Sequence, residues 1–205
     1  MESIAISGNL RTELGKKGNK ALRNNGDTPC VIYGGENVVH FSSAQKDFKD
    51  LIYTPDFKLA EIKVDGQTYK CILKDIQFHP VTDEVMHIDF LQLIEGRNVK
   101  VEIPIKFKGE APGVKEGGKL MQKVRRVMIK TTPDKIVDEL FVDISSLKLG
   151  HSVRVRDIEI AEGMEIMNSL GIPVASVETP RALRSAGAAE EAKEAAEAEA
   201  EEATE

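Results

Sequence analysis

The sequence predicts a mainly β protein with short helices (α+β), built as two β-rich units followed by an acidic tail. Three observations carry this. Short runs of alternating apolar and polar residues recur from Ser3 to Val177, bounded by Gly, Pro, Asn or Asp, the mark of half-buried strands joined by turns. Helical spacing occurs only before Gly96, whereas from Val99 the texture is nearly all strand. After Pro180 the chain is dominated by Ala and Glu, a composition with no apolar face to bury and like charges that repel. A chain of 205 residues with 41% hydrophobic content suits two modest domains. They are expected at 1–95 and 96–180, with a disordered tail at 181–205.

Ile4 and Ile6 alternate with small polar neighbours in a first strand. Lys20–Asn24 reads as one or two helical turns stopped by Asn25-Gly26, with Gly26 as the left-handed cap. In that helix Lys20 and Arg23 are expected on the outer face and Leu22 on the inner one. Pro29–Tyr33 is a strand closed by Gly34-Gly35, and Val38–Phe41 is its partner. Ser42-Ser43-Ala44-Gln45 has the form of a capping box, after which Phe48, Leu51 and Ile52 recur at helical spacing. Phe57–Val64, the turn Asp65-Gly66 and Thr68–Gln77 make a hairpin. Its second strand changes apolar phase near Leu73–Asp75, which calls for a bulge. In Val85–Leu91 the apolar residues Met86, Ile88 and Phe90 take one face, so His87 and Asp89 point together from the other.

In the second unit, Val99 to Phe107 is apolar at every odd position, and Pro104 argues for an edge. Gly109–Gly118 is a loop, and Leu120–Thr131 is one long strand-like run broken in pattern by Arg125-Arg126. Further strands are expected at Leu140–Ile144, Ser152–Val155 and Pro173–Val177. Strands at this spacing suggest a sandwich or a barrel.

A net charge of -6 argues at first against a nucleic-acid partner. From Glu178 to Glu205, however, nine acidic residues stand against Arg181, Arg184 and Lys193, so residues 1–177 hold 25 charges of each sign. Their distribution is uneven: Arg11, Lys16, Lys17, Lys20 and Arg23 are opposed only by Glu13, a local balance of +4. These cations lie on a glycine-containing loop that runs into a helix start, where backbone amides also face anions. Tyr33, at the end of the next strand, can stack or donate, and Asn19 can bond bases or phosphates.

No apolar run approaches the roughly 20 residues needed to span a bilayer, and Met1-Glu2-Ser3 does not begin a signal peptide. Cys30 and Cys71 sit in apolar strand-like runs and read as buried thiols in a reducing cytosol. His87-x-Asp89, with His79 and His40, invites a metal or catalytic reading, but the histidines are otherwise scattered and a metal site needs three or four converging ligands. No nucleophile elbow, phosphate-binding loop or Cys-x-x-Cys occurs. An imidazole and a carboxylate side by side instead suit base edges and 2′-hydroxyls in an RNA groove.

The motifs R-x-x-x-G-K-x-x-x-K-x-L-R from Arg11, P-x-V-I-Y-G-G from Pro29, D-I-Q-F-H-P from Asp75 and H-I-D-F from His87 occur in this order over about residues 1–92. Together they closely resemble the bacterial family of large-subunit ribosomal protein twenty-five, in its long general-stress Ctc form. The resemblance implies an N-terminal RNA-binding β-barrel with short helices, a β-rich second domain, and binding to an irregularly paired helix of 5S rRNA. Carried over by motif position, the RNA contacts would be Arg11, Lys16, Asn19, Lys20, Arg23, Tyr33, Lys74, Gln77, His87 and Asp89. Lys20 departs from the arginine frequent in the family, Phe78 replaces a position that is basic in some relatives, and Ala21 replaces a second helix cation. The implied partners are 5S rRNA, the large ribosomal subunit and, through the second domain, neighbouring ribosomal proteins. The resemblance implies a cytoplasmic, ribosomal location with no membrane partner, no cofactor, no metal and no enzymatic activity.

Overall fold

The computed structural model describes residues 2–161 and 163–179; the stretch 181–205, expected to be disordered, lies outside the described residues. The chain packs as two compact units, one running to Pro104 and adding Arg126–Leu140 and Ile160–Met167, the other comprising Ile105–Arg125, Phe141–Glu159 and the chain from Asn168.

The first unit holds β1 (Ser3–Leu10), α1 (Lys16–Asn24), β2 (Asp27–Tyr33), β3 (Val39–Ala44), a 3-10 turn (Gln45–Phe48) leading into α2 (Lys49–Ile52), β4 (Leu59–Val64), β5 (Gln67–Phe78) and β6 (Val85–Gln92). Its six strands form a closed barrel in the order β1-β3-β2-β6-β5-β4. Closure comes from β1, which pairs antiparallel with β3 and parallel with β4 from Ser3↔Leu59 to Gly8↔Val64, and it removes the sheet edges that would otherwise seek partners. The β4–β5 hairpin turns on Asp65 (φ 50°) and Gly66 (φ 79°), the mirror-image turn that its Asp-Gly pair favours.

The alternation seen in the sequence fills this barrel. Ile6, Cys30, Ile32, Phe41, Ile62, Cys71, Ile88 and Phe90 are buried, and the 3-10 turn and α2 send Phe48 and Leu51 into the same core. Phe90 lies between two rings, 5.9 Å from Phe41 and 6.1 Å from Phe48 between centroids, within the range of favourable aromatic pairing. Gly8 is required by packing: a Cβ there would fall 2.4 Å from Phe41 Cδ2, on a fully buried ring. Gly8→Ala is therefore expected to cost about 1–3 kcal/mol through overpacking, read as a lower urea midpoint with an unchanged slope.

The capping box expected at Ser42–Gln45 does not form. Ser42 and Ser43 continue β3, paired with Pro29 and Thr28, and the residue preceding the 3-10 turn is Ala44, which has no side-chain cap. Ser43 Oγ instead donates to the Ser7 carbonyl at 2.7 Å, with Asp47 Oδ2 3.1 Å away, so its hydroxyl ties β3 to β1.

The remaining elements are β7 (Val99–Lys108), α3 (Pro112–Lys115), β8 (Lys119–Gln122), β9 (Arg126–Thr131), β10 (Leu140–Asp143), β11 (Ser152–Arg154), β12 (Ile158–Glu159), β13 (Glu165–Ile166) and β14 (Pro173–Glu178). They form sheets ordered β12-β10-β7-β9-β13 and β11-β14-β8, so the later part of the chain is β-rich as expected. Two local expectations change. β7 is an inner strand; Pro104 makes its last register pair with β9, opposite Arg126, and the next residue, Ile105, still donates its N–H to the Arg125 carbonyl at 3.0 Å. The run Leu120–Thr131 divides, because the N–H groups of both Lys123 and Val124 donate to the Val174 carbonyl, at 2.8 and 3.2 Å. That turns the chain between β8, which pairs with β14, and β9, which pairs with β7.

Candidate nucleic-acid interface

α1 packs beside β2, and it starts earlier than its apolar pattern suggests, at Lys16. Its C-terminal end is closed by Gly26 (φ 84°), whose N–H donates to the Arg23 carbonyl at 3.0 Å. At roughly 100° per residue, Lys16, Lys17, Lys20 and Ala21 span one arc of the helix and Gly18, Asn19, Leu22 and Arg23 the other, with Arg23 at the boundary, about 20° from the line of Lys16. Burial follows this division: the first set is exposed and the second half-buried. Leu22 faces inward as expected, but Arg23 does not share the outer face with Lys20. Its Nε donates to the Met86 carbonyl of β6 at 3.1 Å.

Arg11 is also engaged within the protein. Its backbone N–H donates to the His40 carbonyl at 2.9 Å. Its Nη2 donates to Asn19 Oδ1 and, at 3.3 Å, to the Glu13 carbonyl. Its buried Nε has no hydrogen-bond partner among the described residues. The side chains of Lys16, Lys17 and Lys20, by contrast, make no hydrogen bond or ion pair with any described residue and are exposed.

The second part of the candidate site lies across β2, β6 and β5. On β6, His87 and Asp89 point outward between buried Ile88 and Phe90, and His87 Nδ1 lies 2.7 Å from Asp89 Oδ1. Register places Gln77 opposite His87 and Asp75 opposite Asp89 on β5, while Val31 and Tyr33 of β2 stand opposite Asp89 and Leu91. The Tyr33 phenol is pushed above its ordinary pKa, first by burial and then by the charges of Asp89 and Asp75. It thus stays a hydroxyl donor at neutral pH. Arg97 Nη1 donates to the Gly34 carbonyl at 2.7 Å and so anchors the turn that follows Tyr33.

Of the residues that the resemblance points to, Tyr33, Gln77, His87 and Asp89 share one outer face, and Lys16, Lys20, Asn19, Arg23 and Arg11 lie on or against α1. Lys74 is exposed beside Asp75, between Leu73 and Ile76, which pack on the core. It is the extra residue in the bulge between Leu73 and Asp75, and its Nζ donates to the Lys100 carbonyl at 3.4 Å. The residues carried over by motif omit Lys17, which the charge count includes in the basic segment, and also Asp75 and Arg97. Lys17 is recoverable from helical spacing and Asp75 from strand register once the bulge is located; no local pattern marks Arg97.

The other polar groups do not assemble a metal centre. Among the described residues no three of His, Cys, Asp and Glu are grouped to hold an ion, and His79 Nδ1 accepts the N–H groups of Val81 and Thr82, at 3.4 and 3.2 Å, in the β5–β6 turn. Cys30 and Cys71 are free and buried. Burial pushes the Cys71 thiol up to about 12. Cys30 is raised by burial, against the charge of Arg11 and with that of Asp89. Both thiols are therefore core groups in the sense expected.

Two family models match the chain: the Ribosomal L25p family over residues 6–90, and ribosomal protein TL5, C-terminal domain, over residues 98–181. The large ribosomal subunit protein bL25 of Amoebophilus asiaticus is 46% identical over 190 residues, 93% of this chain and 96% of that one. The bL25 proteins of Cytophaga hutchinsonii and Bacteroides fragilis are 42% and 40% identical, each covering 92% of this chain and 98% of their own length. The class is thus a structural ribosomal protein rather than an enzyme. The chain belongs to the bL25 family of large ribosomal subunit proteins.

Proposed function

We propose that this structural constituent of the ribosome, in the bacterial cytoplasm, binds 5S rRNA through residues 1–95, using the outer face of β2, β6 and β5 together with α1. The observation that carries the reading is the row Tyr33, His87, Asp89 and Gln77, flanked by a helix whose three lysines have no partner within the described protein. Cations neutralise phosphates and release their counterions, which supplies sequence-independent affinity. The row supplies selectivity. The His87 ring gives one nitrogen, Nδ1, to Asp89 and leaves Nε2 for the RNA, at a ribose 2′-hydroxyl or a base edge. Gln77 offers both a donor and an acceptor, and Tyr33 a donor. Such groups are displayed in the wide, shallow minor groove of A-form RNA and where pairing is irregular.

Chemical probing of purified 5S rRNA with and without the full chain tests this. Protection confined to an irregularly paired helix is expected, and it should weaken in the double variant His87→Ala, Gln77→Ala while the barrel keeps its thermal midpoint. An unprotected 5S rRNA at micromolar protein would end the proposal.

A further inference from the structure

Resting on that RNA-binding reading, we propose that the Glu-rich segment 190–205 docks on the outer arc of α1 when RNA is absent, so that RNA and this segment compete for Lys16, Lys17 and Lys20. The acidic tail thereby acts on RNA binding through a defined surface of the same chain, and not only through its net charge.

Charge complementarity carries this. Residues 190–205 hold eight glutamates against Lys193 alone, a balance of -7, and acidic runs of this kind serve as interaction tails. Elsewhere many cations already face a carboxylate: Lys58 pairs with Glu2, Lys115 with Glu110, Lys130 with Glu165 and Arg156 with Asp157. On α1 the side chains of Lys16, Lys17 and Lys20 are exposed and have no partner among the described residues, and no acidic residue stands in the first turn. Lys16 and Lys20, four apart, repel each other along the helix, and a polyanion laid across them relieves that repulsion. The tether is long enough. From Glu178, where β14 ends beside Lys119, the chain to Glu205 can extend about 90 Å at roughly 3.3 Å per residue, whereas a domain of about 100 residues has a radius of gyration of only about 13 Å. A segment tethered in this way meets its site at an effective concentration of about a millimolar.

Docking weakens every RNA that uses these lysines by the same factor, the inverse of the fraction of time they stand open. The consequence differs between RNAs. Non-specific affinities of about 10⁻⁴–10⁻⁶ M fall out of the working range, while an RNA held also by Tyr33, Gln77, His87 and Asp89 still binds.

Full-length proteins in about 0.05 M salt, where screening is weak, test the competition. Changing the eight glutamates of residues 190–205 to Gln should tighten binding of both a 5S rRNA transcript and poly(U) by about threefold to tenfold, as expected if the lysines stand open for roughly a tenth to a third of the time. The same changes added to Lys16→Ala, Lys17→Ala, Lys20→Ala should alter neither affinity. Docking is also read without RNA: the α1 amide resonances of wild type and the Gln-substituted protein should differ at low salt and coincide at about 1 M, where the Debye length is about 3 Å. Unchanged affinity of the Gln-substituted protein would overturn the proposal. So would tightening that persists in the triple-lysine background, which would mean that the tail repels RNA without docking, and so would α1 resonances that coincide at both salts. A wild-type chain that shows the resonance difference but binds no 5S rRNA would keep the docking and end the RNA reading.

Discussion

The triple variant Lys16→Ala, Lys17→Ala, Lys20→Ala should bind 5S rRNA roughly 100-fold more weakly than wild type at about 0.15 M salt, with a log–log salt slope shallower by about 2–2.7. The magnitude follows from counterion release: three phosphates no longer neutralised, each worth 0.7–0.9 of slope, give a loss that grows as salt is lowered. The same change should leave the fold in place, or stabilise α1 slightly. The three side chains are exposed and have no partner among the described residues, alanine is the best helix former, and a like-charge pair is removed. Filter binding across a salt series, with far-ultraviolet circular dichroism as the fold control, measures both. An affinity within threefold of wild type would mean that these lysines only solvate the helix, the ordinary fate of an exposed charge run.

How much of this surface the sequence discloses depends on which periodicity a residue obeys. His87 and Asp89 are two apart in an uninterrupted strand, so their shared outward direction follows from alternation alone; the 2.7 Å contact between them adds a distance to a known direction. The phase slip in Thr68–Gln77 reveals a bulge, yet not which residue is extruded. That residue is Lys74, which stands exposed beside Asp75 and bonds the Lys100 carbonyl. The helix is harder. A reading that starts it near Lys17 puts Lys20 and Arg23 together on the outer face, whereas the Arg23 guanidinium reaches back to the Met86 carbonyl of β6. Arg97 and the Arg11–Asn19 bond are invisible in sequence because they join segments through loop geometry. The barrel itself was implied by family resemblance, since alternation alone does not say that β1 returns to pair with β4.

Phe90→Ala should have the largest effect on stability, lowering the free energy of unfolding by about 3–5 kcal/mol. Phe90 is fully buried at the centre of the barrel core, flanked by Phe41 and Phe48 and paired in register with Ile32 on one side and Leu73 on the other. Truncation removes the transfer energy of the ring and leaves a cavity that a closed six-stranded barrel cannot collapse around. Small domains hold only about 5–15 kcal/mol in all, so the variant should lose a large part of its stability, seen as a lower urea midpoint. Phe90→Leu, which keeps most of the volume, should cost less than half as much. RNA binding ought to fall only in proportion to the unfolded fraction, because Phe90 points inward while His87 and Asp89 face out from the same strand. A Phe90→Ala protein that lost affinity at a temperature where it was still folded would show that the inward side of β6 sets the geometry of the outward one. A loss of less than about 1 kcal/mol, against the 3–5 typical of a buried Phe, would mean that Phe90 does not anchor the core.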